Sequence, residues 1–230
     1  MGLPGTTGPG AWVGALLFAI SLAVFLFSYA FTFAGQPVQS RPVEDAAVNL
    51  LLFALFGVHH SLFARTRIRA WVARTMPWLS ERTLFVCVAS LLLLVVCWFW
   101  RLLPGTIWRV EGVPAALLHA LQFAGILLVV RSAAVVGVRE LAGLPTSQTS
   151  AEVQVRGPYR WIRHPIYAGW LLLTFAVPLM TTTRFVFAVA SAAYLLIAIP
   201  LEERTLRGMT PDGYGRYAAT VKWRLLPGVY

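Results

Sequence analysis

Charge is what this sequence has least of. Only 12% of its 230 residues are Asp, Glu, Lys or Arg, and the acids number 9 against 19 Lys and Arg. Soluble domains carry about 25% charged residues, so a water-bathed globule is a poor fit. Cysteine is almost missing as well. Cys87 and Cys97 are the two present, both inside one apolar run; their spacing makes neither a metal knuckle nor, along one helix, a disulfide, and both read as packing residues. The first residues, GLPGTTGPG, lack the positive lead-in of a signal peptide, so the first apolar run is expected to stay as an anchor. No alternating ten-residue pattern suggests a barrel. No internal repeat or low-complexity tract divides the chain. Gly213-Tyr214-Gly215 has no strand before it and is no dinucleotide loop.

What the chain does have is hydrophobic length. Hydrophobic residues make up 58% and mean hydropathy is +0.71. Stretches without Asp, Glu, Lys or Arg cover residues 1–40, 46–64, 83–100, 112–130, 164–183 and 185–201. The first four reach or approach the ~20 residues that cross a bilayer, and the last two are near the short limit. An all-α integral membrane protein follows, because a chain in lipid must satisfy its backbone internally. The expectation is a bundle of about six transmembrane helices, five if the last two form a short hairpin. It is read as a single membrane domain over 1–230, with N-terminal helices and an interfacial segment in 1–143 and a motif, hairpin and tail in 144–230.

With six spans, 14 of the 19 Arg and Lys fall on the side that holds both termini and the loops 65–82 and 139–163. Arg41, Arg101, Arg109 and Arg184 face the other side, and Arg131 stays inside a helix. By the positive-inside rule both termini are cytosolic, as expected in a bacterial inner membrane. The net charge of +10 thus reads as orientation and affinity for anionic membrane lipids, with no nucleic acid as partner.

Along the chain, Glu44 and Asp45 complement the dipole at the start of the second helix. The stretch 65–74, with Trp71 and then Trp78, reads as an amphipathic segment at the interface. Ser80-Glu81 leads into the third helix. The last two helices, placed at 165–180 and 185–201, rise and return by about 24 and 26 Å. That arithmetic brings Glu202-Glu203 back to the depth of Arg163-His164.

This corner carries the chemistry. Pro165 suits the first position of a helix. The amides after it, with Arg160, Arg163 and His164, make an anion-receptive rim. Tyr167, three residues on, can support the His164 imidazole. Gly169 lacks a Cβ, so a flat ring could approach the backbone. Glu202 and Glu203 face the rim, able to take an ammonium or ribose hydroxyls across a gap sized for an adenosyl sulfonium. S-adenosylmethionine carries all the groups this arrangement asks for, and aromatic faces can hold its sulfonium. His59 and His60 suggest a metal, but neighbours on a helix point about 100° apart and no third ligand is evident, so the expectation is metal: none. They are placed instead with Arg131 and Arg224 as candidate substrate contacts.

RHPIYAG (163–169), EERTL (202–206), Tyr214 and Tyr217, then 221–227, resemble the C-terminal signature of the isoprenylcysteine carboxyl methyltransferase superfamily, which also includes phospholipid methyltransferases. The resemblance implies a membrane enzyme that holds S-adenosylmethionine with Arg163, His164, Pro165, Tyr167, Gly169, Glu202, Glu203, Tyr214 and Tyr217. Arg163, His164 and Glu203 are the candidate catalytic residues. GVHHSLFAR (57–65), SERT (80–83) and GVREL (137–141) are similar to the small-thiol branch, the methanethiol S-methyltransferases. The chain departs from the pattern at Thr210-Pro211, where Phe-Gly is usual, and at Val221-Lys222-Trp223-Arg224, where the closing Arg comes one place late.

The implied reaction is methyl transfer to a small or lipid-soluble thiol or a lipid-linked acceptor. Alignment and water exclusion do most of the work, and His59, His60 or His164 is available for a thiol proton. One alternative is a membrane sterol-type reductase using NADPH, whose motif shares Arg-His and Tyr-x-Gly but has Asn at the place of Ile166. The other is a non-catalytic membrane accessory protein.

Overall fold

The computed structural model describes residues 9–63, 66–75, 80–144 and 155–230. Residues 1–8, Arg65, Trp78 and the polar connector 145–154 lie outside the described residues. Among the described residues, five helices are long and apolar enough to cross a membrane, and an eleven-residue apolar helix accompanies them. The protein is an all-α integral membrane protein, and its residues gather into two compact units.

The first unit holds residues 1–102 and 138–149. Its helices are α1 (Pro9–Ala30), α2 (Pro42–Phe63), α3 (Thr66–Thr75), α4 (Glu81–Phe99) and the short α6 (Val138–Leu141). Small residues seven apart line the buried face of α1 (Gly14, Ser21, Ser28) and of α4 (Thr83, Ser90, Cys97). This spacing lets the two backbones approach closely along their length, as small residues do between helices in lipid. Phe25, Tyr29, Phe33 and Trp100 continue the seam as a ladder of ring contacts with centroids 5.7, 6.2 and 5.8 Å apart.

Asp45 does more than answer the helix dipole. It accepts from Ser40 Oγ, the Arg41 amide and Arg101 Nη1. Asn49, fully buried one turn on, exchanges two 2.8 Å hydrogen bonds with the Arg101 main chain. These bonds fasten the start of α2 to the end of α4. At the other end, Ser80 caps α4 and Arg82 pairs with Glu140 at 2.7 Å.

The second unit holds residues 103–137 and 150–230. It contains β1 (Thr106–Arg109), α5 (Gly112–Val136), α7 (Pro165–Phe175), β2 (Leu179–Thr181), α8 (Thr182–Met209) and α9 (Pro211–Thr220). α5 and α7 cross at Gly125 and Gly169. A Cβ on Gly169 would stand 2.6 Å from the Gly125 carbonyl oxygen, and one on Gly125 would stand 2.7 Å from that of Gly169.

Three helix boundaries differ from the sequence expectation. α7 ends at Phe175 instead of running to 180, because Pro178 disfavours helix in the residue before it and has no N–H to continue the ladder. The carbonyls left open are taken up nearby. Leu173 accepts from Gln122, Val177 from the Trp108 indole, and Pro178 from the Val110 amide. The chain then pairs as β2 against β1, antiparallel, with Thr106 opposite Thr181 and Arg109 opposite Leu179. α8 starts at Thr182, capped by Thr181, and passes through Pro200 to Met209. Its 28 residues make about 42 Å, so Glu202 and Glu203 lie within a helix and not after one. Arg184, expected in an outer loop, is buried in the first turn of α8 and donates to the Leu179 carbonyl at 2.6 Å.

Candidate functional site

The site grows from the turn that precedes α7. Gly157, at φ +54°, starts a 3₁₀ turn through Arg160; a positive φ suits a residue without Cβ. The main chain at residues 163–164 is then clasped by the C-terminal tail. The Arg163 amide donates to the Trp223 carbonyl and the His164 amide to the Arg224 carbonyl, both at 2.9 Å. Pro165 takes the first position of α7 as expected.

The Arg163 guanidinium donates to Glu203 Oε1 at 2.7 Å through Nε, and through Nη1 to the carbonyls of Val221 and Lys222, both at 2.8 Å. Arg224 reaches the same carboxylate with Nε at 3.3 Å and Nη2 at 3.2 Å. Arg207, one turn along α8, adds Nη2 at 3.4 Å. Glu203 is completely buried, so its charge is tolerable only because three guanidiniums surround it. It also holds the Arg224 guanidinium above its ordinary pKa, against a smaller opposing effect of burial. Arg224 in turn donates to the Tyr230 hydroxyl at 3.0 Å and lies over that ring.

His164 is buried beside this hub. Its Nε2 is 3.4 Å from Glu203 Oε1, and its Nδ1 is 3.8 Å from Glu202 Oε2. Burial pushes the imidazole below its usual pKa, outweighing the pull of Glu202 and Glu203 in the other direction. The Tyr167 ring is parallel to the imidazole within 1°, centroids 5.4 Å apart, and its hydroxyl donates to Glu202 Oε2 at 2.7 Å. The Glu202 side chain remains 42% exposed, the one acidic group of the cluster that opens outward.

α9 closes the other side. Tyr214 and Tyr217 meet edge to face, and the Tyr217 hydroxyl donates to the Tyr159 carbonyl at 2.8 Å. Burial pushes the Tyr217 hydroxyl up to about 12 and raises Tyr159 and Tyr214 as well, with Glu202 adding at Tyr159 and Glu203 at Tyr214. The Tyr214 hydroxyl is buried without a hydrogen bond of good geometry. Arg207 lies over its ring, 5.7 Å from the centroid.

The structure thus joins Arg163, His164, Tyr167, Glu202, Glu203 and Arg224 in one contact network, with Tyr214 and Tyr217 packed beside it. Three expectations change. Glu203 does not face Arg163 and His164 across an open gap; it touches both, since its charge would otherwise be buried alone. Gly169 does not lie open to a ligand ring, because the α5 backbone occupies the space its missing Cβ leaves. Arg224, expected at the substrate, is bound to Glu203. Arg160 is exposed at the end of its turn, and Arg131 is exposed on α5. His59 and His60 belong to the first unit, where both rings contact Phe85 at 5.6 and 5.0 Å. Tyr159 was missed from the sequence, where nothing sets it apart from other interfacial tyrosines. Arg207 stands out only by its four-residue spacing from Glu203.

An apolar groove of about 320 Å³ runs beside the cluster, lined by Ala168, Leu171, Leu172, Phe175, Leu225 and Leu226 among others. The Ala168 amide donates to the His164 carbonyl, and Leu225 follows Arg224, so the groove starts where the polar network ends.

Comparison with known proteins places this arrangement. Residues 118–208 match the isoprenylcysteine carboxyl methyltransferase (ICMT) family. The chain is 36% identical to the methanethiol S-methyltransferase of Mycobacterium tuberculosis over 91% of this chain and 93% of that protein. It is 34% identical to methanethiol S-methyltransferase 2 of Bradyrhizobium diazoefficiens over 85% and 83%, and 28% identical to Nurim of Rattus norvegicus over 74% and 71%. No solved structure matches. These relatives support neither the sterol-type reductase nor the accessory reading. With Arg163, His164 and Tyr167 of the family's Arg-His-Pro-x-Tyr-x-Gly joined to the paired acids, the chain belongs to the isoprenylcysteine carboxyl methyltransferase family of membrane methyltransferases.

Proposed function

We propose that this protein transfers the methyl group of S-adenosylmethionine to a small thiol. The observation that carries the reading is the half-exposed Glu202 carboxylate, held on one oxygen by Tyr167 at the rim of an otherwise neutralised cluster. An outward carboxylate suits an ammonium or ribose hydroxyls. The buried Tyr214 hydroxyl, set beside Glu203, is a second fitting group. Arg160, exposed at the end of the turn before α7 and next to Tyr159, whose carbonyl accepts from Tyr217, suits the ligand's carboxylate. Glu203 and Arg163 form the frame that fixes this rim, and the ligand contacts fall on Glu202, Tyr214 and Arg160. His164, Pro165, Tyr217 and Gly169 shape the pocket through packing.

When bound, the cofactor would supply a methyl group on a positively charged sulfur; a thiol sulfur would bond to that methyl carbon in line as the carbon–sulfonium bond breaks, leaving S-adenosylhomocysteine and releasing the thiol proton to solvent. The chain's own contribution is alignment and exclusion of water. Burial favours the neutral imidazole at His164 and makes it a weaker proton acceptor than a free histidine, which fits alignment better than base catalysis. The apolar groove along α7 suits an acceptor that partitions into lipid. The relatives act on methanethiol by name, and we extend that acceptor class to this chain. The excess of Arg and Lys on the connecting segments supports an inner-membrane protein with both termini in the cytosol.

Purified protein in detergent is expected to bind S-adenosylhomocysteine in calorimetry and to move labelled methyl from S-adenosylmethionine into methanethiol, giving a volatile product. Label in the organic phase with phospholipid or prenylcysteine acceptors instead would replace the thiol assignment. Binding of NADPH without S-adenosylhomocysteine would overturn the reading altogether.

A further inference from the structure

Tyr167 stands at the junction of the two groups whose placement matters most. One oxygen of Glu202 lies 2.7 Å from the Tyr167 hydroxyl and 3.8 Å from His164 Nδ1. The first is a strong hydrogen bond to a charged acceptor and the second is beyond hydrogen-bond length, so Tyr167 holds the carboxylate. Its ring, parallel to the imidazole, also blocks one face of His164. Both contacts follow from α7: Tyr167 comes one turn after His164, on the same face, and α8 carries Glu202 alongside. The hydroxyl's hydrogen is committed to Glu202, so it has none to offer a ligand. Glu202, 42% exposed, does have capacity left on its outward side.

We propose that Tyr167 is a positioning residue: it acts through Glu202, fixing the carboxylate so that its outward oxygen meets the ammonium or a ribose hydroxyl of the S-adenosyl ligand. This rests on the proposed function. It changes the role the family resemblance suggests for Tyr167, from direct cofactor contact to orientation of the group that makes it. Without the hydroxyl, Glu202 can swing toward His164 Nδ1 or into solvent, and the ligand must reorder it on binding.

The test is a double-mutant cycle on S-adenosylhomocysteine affinity, measured by calorimetry on the full chain in detergent with wild type, Tyr167→Phe, Glu202→Ala and the double variant. Phe keeps the ring against His164, and the half-exposed Glu202 takes water in place of the hydroxyl, so the variant folds; its melting temperature checks this. Tyr167→Phe is expected to weaken binding about tenfold, one hydrogen bond's worth of orientation. In the Glu202→Ala background the same change is expected to have no further effect, because non-additivity is the mark of two residues acting as one. In methyl transfer, Tyr167→Phe is expected to raise KM for S-adenosylmethionine with kcat near wild type. Wild-type affinity in Tyr167→Phe, or losses that simply multiply in the double variant, overturns the proposal. No binding by wild type sinks the methyltransferase reading and this one with it, an outcome distinct from either.

Discussion

Each unit buries an acid or amide against arginine, and the two do it to different ends. In the first, Asp45 and Asn49 converge on Arg101, and two of the three hydrogen bonds to it are to its main chain. The buried carboxylate and amide of that pin both turn to Arg101, whose half-exposed guanidinium closes it from outside, and the result is a joint between helix ends. In the second, Glu203 meets Arg163, Arg207 and Arg224 from three separate segments, and its neighbour Glu202 turns outward. Both clusters are well satisfied, so burial of charge alone does not separate a joint from a site. What separates them is the surplus: three guanidiniums hold one carboxylate, and a second carboxylate is left half in the open.

The largest effect should come from removing the hub. Glu203→Ala leaves three guanidiniums around an empty, buried position, a loss of about 3–5 kcal/mol for breaking a buried pair. Thermal unfolding in detergent should show the variant melting far below wild type, with the tail released to protease. Asn49→Ala in the first unit strips two bonds from the Arg101 main chain but leaves no buried charge; its loss is expected to be smaller. If Asn49→Ala is the more damaging of the two, the distinction between joint and hub is wrong.

Helix crossings provide a second, smaller contrast. On Gly169 a new methyl would meet the Gly125 carbonyl oxygen at 2.6 Å, backbone against backbone, with nothing able to yield. On Gly14 it would meet the Cys87 sulfur at 3.2 Å, the end of a side chain that can turn. Gly169→Ala is therefore expected to cost about 1–3 kcal/mol as overpacking, and Gly14→Ala well below that. Equal melting temperatures for the two variants would mean that α5 and α7 separate more easily than their contact implies.

The same contrast explains what could be read from residue order. Runs free of charge mark the five spans well, since lipid excludes charge whatever the neighbours are. They mark helix ends poorly. The run 164–183 conceals a break at Pro178 and a strand, because apolar residues satisfy lipid in either conformation and have no period to tell them apart. The run ending at Leu201 suggests a stop where α8 in fact continues two more turns, as the helix leaves the apolar zone without unwinding. At the site, the meeting of Glu202-Glu203 with Arg163-His164 follows from counting residues up and back. Which acid is consumed and which stays open does not. That is decided by the tail, whose main chain pairs with residues 163–164 and so delivers Arg224 to Glu203. Gly169 shows the same limit: a missing Cβ announces a close approach, and only the fold says that the visitor is another helix.

The smallest expected effect concerns His164, and it tests whether the hub governs the imidazole or merely touches it. Burial lowers the folded-state pKa below 6.5, the value expected once the chain unfolds. The unfolded chain therefore takes up a proton first as pH falls. Stability attributable to the neutral imidazole is fully present above about 6.5 and is lost as pH falls from there toward the depressed value. The slope cannot exceed about 1.4 kcal/mol per pH unit for one proton. Unfolding of wild type and His164→Gln, followed from pH 7.5 down to 5.5, should diverge in that window, with the variant less sensitive to acid. The groups facing the ring are Glu202 and Glu203 from α8, Tyr167 from α7 and Arg163 beside it. A wild type that gains stability relative to the variant on acidification would mean the carboxylates outweigh burial, leaving a charged imidazole as a fourth cation on the Glu203 hub.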